Sequence, residues 1–165
     1  MRGWLVIAVL LASATFLEQA TRSELDDPDP ARQRTGVLVP AAGAPPAILV
    51  SDDLPAAGRR AAILFVRPAQ YDLMFEVLGA QPLPPDVDVA LVLPAPPQSK
   101  LVPAPVAFDV TRALARAYRM PQPADGGPPV GYALVDSRGR VRYSTLDPGV
   151  AGHLREVRTM LGGLR

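Results

Sequence analysis

The chain contains one histidine, His153, and no cysteine. Together these remove most of the nucleophilic and metal chemistry that a 165-residue protein could perform. A thiolate is the attacking group of disulfide exchange and a favoured zinc ligand. Without one, a disulfide framework, Cys-ligated zinc and cysteine catalysis are excluded. A hydrolytic triad would set His153 beside a serine held on a G-x-S-x-G or comparable turn, and the chain has no such turn. His153 falls near the start of a helical pattern and off its apolar face, so a solvated surface histidine is expected. No catalytic residue, no metal site and no cofactor is assigned.

Arginine remains as the group with chemistry to offer. Arg112, Arg116 and Arg119 are spaced i, i+4 and i+7, which on a helix makes one basic face. Arg138, Arg140 and Arg142 alternate as they would on a strand. Residues 110–165 carry nine basic and four acidic groups, against four and seven in residues 47–109. This asymmetry suits an acidic protein surface or anionic lipid headgroups. Solvation of a helix face and protection of an edge strand are the favoured account of the same residues. A net charge of +1 argues against nucleic acid as a general partner, because phosphate binding wants clustered excess positive charge. Lys100 is the one lysine among seventeen basic residues, which reflects GC-rich coding of an actinobacterial kind.

The segments that would carry these groups differ sharply along the chain. Residues 1–20 open with Met1-Arg2-Gly3 and continue apolar to Leu17, the layout of an export signal. The apolar run falls short of the roughly 20 residues of a membrane span. Ala12-Ser13-Ala14 is an acceptable cleavage site, so removal and retention as a membrane anchor both stay open, beside a helix docked on the core. Residues 21–46 are rich in proline and aspartate, lack apolar periodicity and read as a solvated linker.

A domain is expected over residues 47–165. Residues 47–50 make a short possible strand. Residues 61–66 and 87–93 are continuous apolar runs, as in strands covered on both faces. Between them, residues 71–79 place Leu73, Met74, Val77 and Leu78 to one side of a helix. A short extended piece, 106–108, precedes Asp109, a good N-cap. The helix that follows would bear Val110, Leu114, Ala117 and Tyr118 as its apolar stripe. Residues 131–135 and 140–144 flank Asp136-Ser137-Arg138-Gly139 as a hairpin. From about residue 150, Leu154, Val157, Leu161 and Leu164 form one apolar helical face. The order is β-α-β-α-β-β-α, an α/β fold with a central mixed sheet flanked by helices.

That order resembles the thioredoxin-like superfamily. The text from Asp109 through Leu114-Ala115-Arg116-Ala117-Tyr118 and Pro128-Pro129-Val130 to Asp136-Ser137-Arg138-Gly139 is similar to its redoxin branch, the thiol-peroxidase (AhpC/TSA) and TlpA-like proteins. The resemblance implies a reactive cysteine just after the first core strand, where a helix N-terminus lowers a thiol pKa. Here that stretch reads Phe65-Val66-Arg67-Pro68-Ala69-Gln70-Tyr71, without sulfur. It further implies a cis peptide bond before Pro128 or Pro129, beside the active site.

Sequence thus leads to an exported or membrane-tethered, extracytoplasmic, redox-inactive thioredoxin-like domain that binds a protein partner. Arg67, Pro68, Tyr71, Pro128 and Pro129 would border its cleft, with Arg112, Arg116 and Arg119 as a possible basic face. The alternative is a peroxiredoxin-like oxidoreductase or antioxidant protein that works through a partner's thiols.

Overall fold

The computed structural model describes residues 37–38, 43–47, 58–98 and 102–164. The expected export segment, most of the linker and most of the 47–50 strand lie outside them. Among the described residues no helix is long and apolar enough to cross a membrane.

Strand β1 (Val37–Leu38) is followed by β2 (Arg60–Phe65), helix α1 (Tyr71–Ala80), β3 (Val87–Leu93) and β4 (Val106–Phe108). Helix α2 (Ala113–Ala117), strands β5 (Gly131–Val135) and β6 (Val141–Leu146) and helix α3 (Leu154–Gly163) complete the chain. They build one sheet in the order β1-β6-β5-β2-β3-β4. Strands β2, β3 and β4 run parallel, while β5 and β6 are antiparallel to their neighbours. The β2–α1–β3 crossover and the β5–β6 hairpin meet at the centre, where β2 pairs with both halves.

The uninterrupted apolar runs at β2 and β3 follow from this position, since both strands are covered on both faces. On one face Ala62, Leu64, Leu91 and Leu134 pack against Met74 and Leu78 of α1 and Leu154, Val157 and Leu161 of α3. On the other, Ile63, Phe65, Val92 and Ala133 pack against Ala115 and Tyr118. Phe65 meets Tyr118 edge-on, with ring centroids 6.1 Å apart.

Three expectations are corrected. The sheet reaches back into the segment read as a spacer. There Val37–Leu38 pairs with Tyr143 and Ser144 of β6, and Pro46 bridges to Arg140. Such an addition needs only backbone groups, which an apolar pattern does not reveal. The second helix is also much shorter than its apolar stripe implied: Val110 is 77% exposed and lies outside it. Asp109 nonetheless caps it, because its buried carboxylate accepts the N–H groups of Leu114 and Ala115 at 3.1 and 2.8 Å. Reaching so far past the intervening turn forces Arg112 into the left-handed region, at φ 58° and ψ 26°. For a residue with a Cβ that conformation costs about 1 kcal/mol. Arg119 is left-handed too, at φ 55°, so Arg112, Arg116 and Arg119 do not share a helix face. Finally, no described peptide bond is cis, so Pro128 and Pro129 are both trans.

Candidate functional site

The carboxyl ends of parallel strands, where the chain leaves for helices on opposite faces, are the usual place for a site in an open α/β sheet. Here the loop from β2 runs Val66-Arg67-Pro68-Ala69-Gln70, its last three residues a 3-10 turn, into α1. Pro68 opens that turn, where a missing N–H is harmless. The Arg67 N–H donates to Gln70 Oε1 at 3.0 Å, and the Gln70 N–H donates back to the Arg67 carbonyl at 2.9 Å. The loop is closed on itself by its own side chain.

Arg67 is the hub. Its Nε donates to the Pro128 carbonyl at 2.6 Å, and its Nη2 to Asp125 Oδ1 at 2.8 Å. Nη1 donates to the other carboxylate oxygen, completing a bidentate pair. Asp125 Oδ1 also accepts the Gly127 N–H at 2.8 Å. A Cβ at Gly127 would stand 2.6 Å from Arg67 Nη2, so the guanidinium reaches its place only because residue 127 lacks one. Arg67, Pro68, Pro128 and Pro129 therefore do come together, but Arg67 spends its donors inside the protein.

Tyr71 is likewise engaged. It is buried, stacks on Phe75 at 5.8 Å and donates its hydroxyl to the Ala95 carbonyl at 2.7 Å. Burial raises its pKa above the ordinary phenol value. Its ring therefore fixes α1 to the loop after β3. Beside it Pro68, Asp72, Pro96, Pro97 and Gln98 enclose a cleft of about 270 Å³. On the far side of Pro129 a second cleft, of about 230 Å³, is lined by Arg112, Arg116, Met120, Pro121, Pro123 and Gly127 among others. Arg119 does not line it. Sequence spacing grouped the three arginines, but the brevity of α2 leaves only two of them on this cleft.

The Arg67 guanidinium holds the Asp125 carboxyl well below the usual carboxylate range. A carboxyl whose folded pKa lies below its unfolded one stabilises the protein fully above the unfolded value, near pH 4, and loses that contribution as pH falls towards the folded value. The stability gap between wild type and Asp125→Asn should be open at pH 7 and narrow steadily on acidification below about pH 4. Denaturant titrations at pH 7, 4 and 2.5 measure it, and a gap constant across that range refutes the coupling.

His153 is corrected as well. Its Nδ1–H donates to the buried Asp147 carboxylate at 2.8 Å, and the side chain is only 22% exposed. Asp147 Oδ1 also accepts the Gly149 N–H, so the pair orders the entry to α3. Asp147 stands six residues before His153, a pairing that the helical periodicity around His153 does not encode. Among the described residues, the ring's hydrogen-bond partner is this carboxylate and not a hydroxyl.

No protein-family model matches the chain, and no curated protein matches its sequence. Among solved structures, MTB DsbF is 16% identical over 64% of this chain and 82% of its own, with a TM-score of 0.45. The Xanthomonas campestris Bacterioferritin Comigratory Protein is 19% identical over 66% and 79%, with a TM-score of 0.49. StoA from Bacillus subtilis is 18% identical over 61% and 82%, with a TM-score of 0.43. The chain's own topology identifies the fold. A parallel β2–α1–β3 unit adjoins an antiparallel β5–β6 hairpin at β2, α1 and α3 share one face, and α2 packs on the other. This is a thioredoxin-like fold whose β2–α1 loop is clamped by Arg67 and carries no sulfur.

Proposed function

We propose that the chain is a redox-inactive thioredoxin-like domain, exported or tethered at the outer face of a membrane, that binds a protein partner at the rim of its former thiol site. The observation that carries this is the Arg67 clamp. Where the fold ordinarily presents a nucleophile, this chain ties the β2–α1 loop to Pro128 and Asp125. Methionine thioethers are the remaining sulfur, and they are oxidised without turning over. A preset loop loses little entropy on binding, which favours a recognition role. The cleft beside Tyr71, walled by Pro68, Pro96 and Pro97, offers apolar surface and the exposed Asp72 and Gln98 to an extended segment. The signal-like layout of residues 1–20 supports the location.

The test uses the full chain in its native membrane setting, with a photo-crosslinking residue at Gln98 or at Arg138. Arg138 lies in the β5–β6 turn, near the Ala61↔Val135 end of the sheet, whereas the cleft adjoins the Phe65↔Gly131 end. A defined partner should crosslink from position 98 and not from 138. Crosslinking from 138 alone moves the surface elsewhere. Disulfide reductase or peroxidase turnover by the purified protein overturns the redox-inactive half. A reporter fused after Pro46 that works only in the cytoplasm overturns the location.

A further inference from the structure

Arg59, Arg60, Arg67 and Arg142 each form an ion pair with an aspartate. Arg112 and Arg116 form no ion pair among the described residues, yet both line the 230 Å³ cleft behind Pro129. Arg116 Nη1 donates to the Thr111 carbonyl at 3.2 Å. Among the described residues, therefore, neither guanidinium on this cleft is paired with a carboxylate. The remaining walls include Ala115, Met120 and three prolines, together with Gln122 and Gly127. Arg112 also borders the small gap at the ends of β2 and β3, beside Phe65, Val92 and Pro128. It thus stands between the cleft and the core of the site.

We infer that this cleft binds the C-terminal residue of a peptide, with its carboxylate on Arg112 and Arg116 and its apolar side chain against Met120 and the prolines. The inference rests on the peptide-binding function proposed above and names the chemistry that one end of the partner would present. A fork of guanidinium donors matches a planar carboxylate. The volume is below the 300–1,000 Å³ common for whole small-molecule ligands and suits a single residue. Apolar walls beside the cations favour a terminal leucine or valine, whose side chain and carboxylate share one Cα. An aspartate or glutamate side chain has no such apolar partner.

The probe is acetyl-Ala-Ala-Leu with a free carboxylate, followed by NMR titration of the whole protein. Its C-terminal amide, acetyl-Asp-amide and inorganic phosphate serve as competitors. The free carboxylate should shift the resonances of Arg112, Arg116 and Met120 saturably, and the amide should bind about tenfold more weakly or not at all. Arg112→Gly retains the left-handed backbone at no steric cost and removes the guanidinium, so it separates binding from folding. That variant and Arg116→Gln should each lose about tenfold in affinity, whereas Arg119→Gln should lose nothing. Equal binding of the amide overturns the inference, as does equal competition by phosphate or acetyl-Asp-amide. If crosslinking at Gln98 succeeds while this titration fails, the partner binds without this pocket. If both fail, the proposed function itself falls.

Discussion

Gly131→Ala is expected to lower the melting temperature by about 10 °C and to disorder the site along with the sheet. Gly131 begins β5 at φ 150°, a conformation that residues with a Cβ rarely adopt. A Cβ there would lie 2.1 Å from the Thr145 carbonyl oxygen, 2.8 Å from the Asp147 nitrogen and 2.9 Å from the Leu146 Cα. All three are backbone atoms of β6 and its exit, so no rotamer change relieves the clash. Relief requires β5 to move off β6 where Gly131 pairs with Leu146, and Phe65 pairs with Gly131 on the other side. The cost is about 3 kcal/mol, a large part of a domain's 5–15 kcal/mol. Gly79→Ala is the matched control. Gly79 is a helical glycine with open space around its Cβ position, so alanine there should raise stability by roughly 0.5–1 kcal/mol. A Gly131→Ala protein as stable as wild type would show that the β5–β6 junction yields, contrary to the close packing described.

Asp136→Ala should cost a similar amount, about 3 kcal/mol, for an electrostatic reason. Asp136 is fully buried at the hairpin. Its Oδ1 accepts the N–H groups of Arg138 and Arg140 at 2.9 and 3.0 Å, and its Oδ2 accepts from Arg142 at 3.2 Å. Alanine strips three acceptor contacts and leaves the donors to find water in a partly buried turn. Asp136→Asn retains one carbonyl oxygen for the two backbone donors and forfeits the charged contact with Arg142. It should therefore lose only about 1 kcal/mol. Equilibrium denaturation of the three proteins measures the order. Equal losses in the two variants would mean that the Arg142 contact, and not the turn, carries the stabilisation.

What could be read from the chain tracks what is local in it. Strands β2 and β3, helix α1, the hairpin and α3 announce themselves through apolar runs, a 3.6-residue period and Asp-x-x-Gly. Each is fixed by contacts within a few residues or by wholesale burial, and such patterns survive without knowledge of the partner. Asp109 was legible as a cap for the same reason. The absence of sulfur from the loop at Arg67 was equally plain.

The tertiary structure decided where side chains with several options would go. Arg67 meets Asp125 across 58 residues of sequence, which turned a residue expected to border the cleft into a clamp. His153 meets Asp147 and is half-buried. Val110 faces water because Asp109 reaches Leu114 and Ala115 and delays the helix, and that delay breaks up the supposed Arg112/Arg116/Arg119 stripe. Residues 37–38 join the sheet through backbone groups that every sequence possesses. Arginine and aspartate are nearly indifferent to local conformation but choose partners through charge and distance, so their roles belong to the fold. Composition and periodicity set the scaffold and removed the thiol; only the folded chain distinguishes the arginine that is already paired from the two that line a cleft without a carboxylate.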